Sequence, residues 1–96
     1  MNAYERLLKY VVIRTSSNEE SETTPSSQCQ FDLANVLKKE MEELGICDVT
    51  LTDTCFLYGK IPATPGCENA PAIGFIAHMD TVSDYCDHDI KPMITE

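Results

Sequence analysis

The chain has 96 residues, 43% of them hydrophobic and 24% charged, a composition that fits one small folded domain or part of a larger one and excludes a disordered or fibrous chain. Against 16 Asp and Glu it carries only 7 Lys and Arg, a formal net charge of -9. That field repels phosphate backbones and anionic lipid, so neither nucleic acid nor a membrane surface is expected as a partner, whereas metal cations and free amines are compatible.

A chain of this length buries roughly 60–65% of its unfolded surface, so a core formed by it alone is marginal. No apolar run is long enough to span a bilayer, and the opening Met-Asn-Ala-Tyr-Glu-Arg lacks the basic and apolar regions of a secretory signal. The cysteines are Cys29, Cys47, Cys55, Cys67 and Cys86. Their odd number and the lack of any C-x-x-C pair argue against a disulfide scaffold or a zinc ribbon. Reduced thiols in a cytoplasmic protein are the expectation, most of them as small core hydrophobes.

In chain order, residues 2–14 have the spacing of an amphipathic helix. Tyr4, Leu7, Leu8, Val11 and Val12 share one face, with Glu5, Arg6 and Lys9 on the other. Residues 15–28 contain no large apolar side chain and predict a solvated loop, not a strand. A second helix is expected from about Ser26 to Leu44. Ser27 and Gln30 match a capping box, Ala34, Leu37, Met41 and Leu44 form a core stripe beside Leu33, and Lys38, Lys39, Glu40, Glu42 and Glu43 cover the outer face. Gly45 supplies a left-handed stop.

From Cys47 the period changes to two. Cys47, Val49 and Leu51 alternate with polar residues as in a half-buried strand, Thr52–Thr54 turn, and Cys55–Ile61 return as the second strand of a hairpin. Residues 62–71 are a loop by composition. Ala72-Ile73-Gly74-Phe75-Ile76-Ala77 is apolar on both faces, the pattern of a central buried strand. The expected architecture is α/β: two helices packed on a small mixed sheet, with 72–77 as its most buried strand.

That apolar run leads directly into His78-Met79-Asp80-Thr81. On an extended backbone His78 and Asp80 project to the same side, and the carboxyl end of a buried strand is where open α/β sheets bind ligands. A neutral imidazole can bind a metal through one ring nitrogen while a carboxylate accepts from the other, fixing the tautomer. Asp80 suits that supporting role, or could itself ligate. Alone, a His-x-Asp tripeptide is more often a surface turn or a structural hydrogen bond; its position after a fully apolar run brings the two readings level. No G-x-S-x-G elbow is present for a Ser-His-Asp arrangement. Asp84, Asp87, His88 and Asp89 form a second acidic cluster whose spacing recommends no metal cage, so a solvated loop is expected there.

The stretch from Pro71 to Thr81 resembles the first metal-ligand segment of the peptidase T family of tripeptide aminopeptidases. The resemblance extends to Tyr4–Tyr10, Thr24-Pro25-Ser26, Leu37–Gly45 and Val49–Thr52, nearly the whole chain. The wider group is the di-zinc exopeptidases, with carboxypeptidase G and aminoacylase as relatives. The resemblance implies a cytosolic enzyme that removes the N-terminal residue from tripeptides, with a second domain inserted into its α/β catalytic domain. It implies His78 as the first zinc ligand and Asp80 as the catalytic-site aspartate that orients it. It also implies two zinc ions holding a water that a glutamate deprotonates.

The family's bridging aspartate, general-base glutamate, further carboxylates, distal histidine and inserted domain would all lie beyond Glu96. The expectation is therefore that residues 1–96 are the N-terminal portion of the catalytic domain, with at most a partial zinc site and no activity by themselves. The competing class is a small acidic α/β interaction module without catalysis, pairing exposed strand edges with a second copy as a homo-oligomer.

Overall fold

The computed structural model describes residues 2–81 and 90–95. Cys86 and the acidic cluster Asp84, Asp87, His88 and Asp89 lie outside the described residues. The order of elements is α1 (Ala3–Tyr10), α2 (Gln30–Glu43), β1 (Cys47–Leu51) and β2 (Leu57–Lys60).

Helix α1 begins where the Glu5 carboxylate accepts from the Asn2 backbone N–H at 3.3 Å. It stops at Tyr10, short of the expected residue 14, because Val11, Val12 and Ile13 follow, a run of β-branched side chains that lose rotamer freedom in a helix. Helix α2 starts four residues later than expected. Residues 27–32 approach it through i→i−3 bonds, Gln30 N to Ser27 O, Phe31 N to Gln28 O and Asp32 N to Cys29 O, a tight 3₁₀-like lead-in. The expected Ser27 capping box does not form: Gln30 Nε2 instead donates to Ser26 Oγ at 3.3 Å.

The end of α2 follows the sequence reading. Gly45 has φ +82. Ile46 N donates to Met41 O and Gly45 N to Glu42 O, the paired bonds of a Schellman stop. The chain then enters β1, which pairs antiparallel with β2 in the register Cys47–Lys60, Thr50–Tyr58 and Leu51–Leu57, with a bulge between Cys47 and Thr50. Asp48 within that bulge has φ 54. Helix α2 packs on this hairpin. Leu33 and Ala34 of α2 are buried, Val49 and Leu51 of β1 are half-buried, and Met41, Ile46 and Val49 crowd Gly59 of β2.

Several expectations are corrected. Among the described residues the sheet is a two-stranded antiparallel hairpin rather than a mixed sheet. Residues 72–77 are not its central strand: they belong to no sheet, and Ile73, Phe75 and Ile76 are 80%, 94% and 101% exposed. A strand that is apolar on both faces needs neighbours on both edges and cover on both faces. Among the described residues no strand lies beside it. Glu40, expected on the outer face of α2, is buried, while Leu44 of the apolar stripe is exposed. The apolar face of α1 stays largely in solvent, with Tyr4 and Leu7 more than half exposed, and so does Val12 just beyond it. Of the described cysteines only Cys55 is buried; Cys29 is half-buried, and Cys47 and Cys67 are exposed.

Helix α1 docks instead through its polar side. Glu40 accepts from Lys9 Nζ at 2.8 Å and from the Tyr10 hydroxyl, and Arg6 Nη1 lies 3.3 Å from the same carboxylate. One buried acceptor with three donors satisfies the rule that buried charge must be paired.

Candidate functional site

The segment 71–81 reaches the hairpin and the start of α2 across an open cleft of about 640 Å³, whose walls include Pro25, Gln30, Cys55, Tyr58, Phe75 and His78. Its mouth carries both residues singled out from the sequence. His78 Nδ1 lies 2.8 Å from Asp80 O and 3.1 Å from Asp80 Oδ1. Both partners are acceptors, so Nδ1 is the donor and carries the ring proton. A neutral imidazole protonated on Nδ1 presents the Nε2 lone pair outward. The ring is exposed, at 84%, and the Asp80 side chain half so. The i, i+2 placement inferred for an extended segment is therefore what brings the two together, although the segment pairs with no strand here.

What holds this end of the segment was not anticipated. Thr81 forms a parallel bridge with Ser16. Thr81 N donates to Thr15 O at 2.9 Å and Ser17 N donates to Thr81 O at 2.8 Å. Thr15 and Ser16 are buried, so the expected solvated loop is wrong at its first residues. The signal was available: Val11, Val12, Ile13 and Thr15 form a β-branched cluster suited to extended backbone.

The other cleft groups do less chemistry. Burial pushes the Cys55 thiol above its ordinary range, so it stays protonated and is a poor nucleophile. Among the described residues no group of three His, Cys, Asp or Glu side chains could hold a metal ion. A catalytic zinc centre takes three protein ligands, more than the His78–Asp80 pair offers among the described residues. No described helix is long and apolar enough to cross a membrane.

No family model matches the chain. Curated relatives do. Peptidase T of Alkaliphilus oremlandii is 43% identical over 96 residues, covering 99% of this chain and 24% of that protein. Peptidase T of Desulfitobacterium hafniense is 47% identical over 92 residues, 96% of this chain and 22% of that protein. Peptidase T of Bacillus licheniformis is 40% identical over the same shares. The chain spans less than a quarter of the length of the curated relatives it matches, and it resembles the N-terminal segment of peptidase T.

Proposed function

We propose that residues 1–96 are the N-terminal portion of the catalytic domain of a cytoplasmic metallo-aminopeptidase acting on tripeptides, with His78 as a zinc ligand through Nε2 and Asp80 as the group that orients it. The observation that carries this reading is the pair of acceptors on His78 Nδ1, which leaves Nε2 as the ring's only lone pair. Similarity to relatives named Peptidase T supplies the reaction class. A zinc ion held there would polarise the scissile carbonyl and acidify a bound water. This chain's contribution is one imidazole in the correct tautomer, a carboxylate that keeps it there, and an open cleft beside them. The remaining ligands, a second zinc position and the general base belong to residues outside these 96, so the chain alone is inactive and binds zinc weakly.

The test uses protein spanning the full length of the relatives, shown to be folded, with zinc content and tripeptide hydrolysis measured together. His78→Ala removes a ligand and is expected to abolish activity and lower zinc content. Asp80→Ala leaves the ligand mobile and is expected to cost roughly 10–100-fold, with Asp80→Asn between because its amide oxygen still accepts one bond. Normal turnover and full zinc in folded His78→Ala would end the metal-ligand assignment.

A second reading has its own observation. The exposure of Ile73, Phe75 and Ile76 favours a non-catalytic module that presents an apolar edge to a second copy.

A further inference from the structure

Residues 15–17 belong to no helix and to neither hairpin strand, yet Thr15 and Ser16 are 7% and 4% exposed. Thr81 meets all three. Besides the two backbone bonds, Thr15 Oγ1 and Thr81 Oγ1 are 3.1 Å apart, and Ser17 Oγ donates to Thr81 O at 3.2 Å. So many bonds on one exposed residue, directly after His78 and Asp80, are more than a loop crossing requires.

The peptide group joining Asp80 to Thr81 has two polar ends. Its N–H donates to Thr15 O at 2.9 Å. Its carbonyl, Asp80 O, is the nearer acceptor of His78 Nδ1, at 2.8 Å. A trans peptide is planar, with N–H and C=O pointing in opposite directions. Holding the N–H on Thr15 therefore aims the C=O, and the C=O, together with the Asp80 carboxylate at 3.1 Å, selects which ring nitrogen keeps the proton.

We propose that Thr15 and Ser17 are positioning residues for His78: by clamping Thr81 they orient the Asp80–Thr81 peptide, which sets the Nδ1–H tautomer and turns Nε2 outward. The placement of the ring stands on these bonds alone. What Nε2 then binds rests on the metal-ligand reading above.

The two can be tested apart by measuring the tautomer on metal-free protein. The probe is the imidazole itself, followed by ¹⁵N–¹H NMR at about pH 8.5, where histidine is neutral. A His88→Gln background leaves His78 as the chain's single histidine. The parent is expected to show mainly Nδ1–H. In Thr15→Val with Ser17→Ala, the two side-chain bonds that brace Thr81 over Thr15 are lost; the backbone bond from Thr81 N to Thr15 O then holds the peptide less tightly, and the Nδ1–H to Nε2–H ratio is expected to fall about two- to tenfold, the effect of a net hydrogen bond. Thr15→Ser keeps the hydroxyl and should keep the ratio. Should the double variant fail to fold, Thr15→Val and Ser17→Ala singly carry the same readout. A purely structural role would lower stability and leave the ratio unchanged in folded protein. An unchanged ratio in the folded variants, or a parent that is mainly Nε2–H, overturns the proposal whatever zinc titration shows.

Discussion

Glu40 is where the two helices meet, and its surroundings set how the contact responds to pH. Lys9 first, then Tyr10, hold its carboxyl below the usual carboxylate range, against the opposing effect of burial. Pairing with Glu40 in turn raises Lys9. A carboxyl lowered in the native state contributes stability that is complete above its unfolded pKa and is lost as pH falls through the native value. Acid is therefore expected to loosen α1 from α2 below about pH 4.3, the ordinary glutamate value. Glu40→Gln keeps the shape and removes the charge. It is expected to cost roughly 1–2 kcal/mol at neutral pH, since Lys9 and Arg6 are partly solvated and lose only part of a buried pair's worth. Urea unfolding at pH 7 and pH 3.5 checks this: the gap between parent and variant should narrow at the lower pH. An equal gap at both would mean that the charge is not what Lys9 and Arg6 bind.

At the scale of elements, the seam between α2 and the hairpin depends on Gly59. A Cβ there would overlap Met41 Cε and come within 2.6 Å of Ile46 Cγ2. The methionine end can swing aside, but the branched isoleucine cannot without moving the chain just past the helix stop. Gly59→Ala is expected to destabilise by about 1–3 kcal/mol through overpacking. Gly74, where an added Cβ would meet nothing within 4 Å, is the control, and Gly74→Ala should stay within about 0.5 kcal/mol. Denaturant midpoints decide it, and equal midpoints for the two would show that the seam yields freely. The end of α2 and the existence of the hairpin were legible because each is written in local chemistry, a glycine at a left-handed position and a change of period from 3.6 to 2. The His78–Asp80 pair was legible for the same reason, since i, i+2 neighbours on extended backbone share a side. The close approach at Gly59, the docking of α1 through Arg6, Lys9 and Tyr10, and the clamp on Thr81 join residues more than 10 positions apart, and no local pattern encodes them.

The whole molecule shows more surface than a closed domain would. Its accessible area is 7870 Å², whereas a compact monomer of this mass exposes about 5,500 Å². Its radius of gyration is 15.9 Å, against about 12.5 Å for a compact chain of this length. The buried apolar set of the described residues is small, Leu33, Ala34 and Cys55. Much of the largest uncovered apolar surface is Ile73, Phe75 and Ile76, the segment whose sequence reads as a strand buried on both faces. The two functional readings differ on what that segment is for, and substitution there separates them. In the 96-residue chain Phe75 and Ile76 are almost wholly in solvent, so Phe75→Ala and Ile76→Ala should each change stability by no more than about 0.5 kcal/mol. In protein spanning the full length of the relatives, the peptidase reading makes 72–77 a core strand, and the same substitutions should cost about 2–5 kcal/mol each by leaving cavities. Urea midpoints of both proteins, parent and variants, supply the comparison. A cost confined to the long protein fits a strand covered only there. Small costs in both would remove the core-strand assignment, and variants that also abolished self-association of the short chain would turn the segment into an interface between copies.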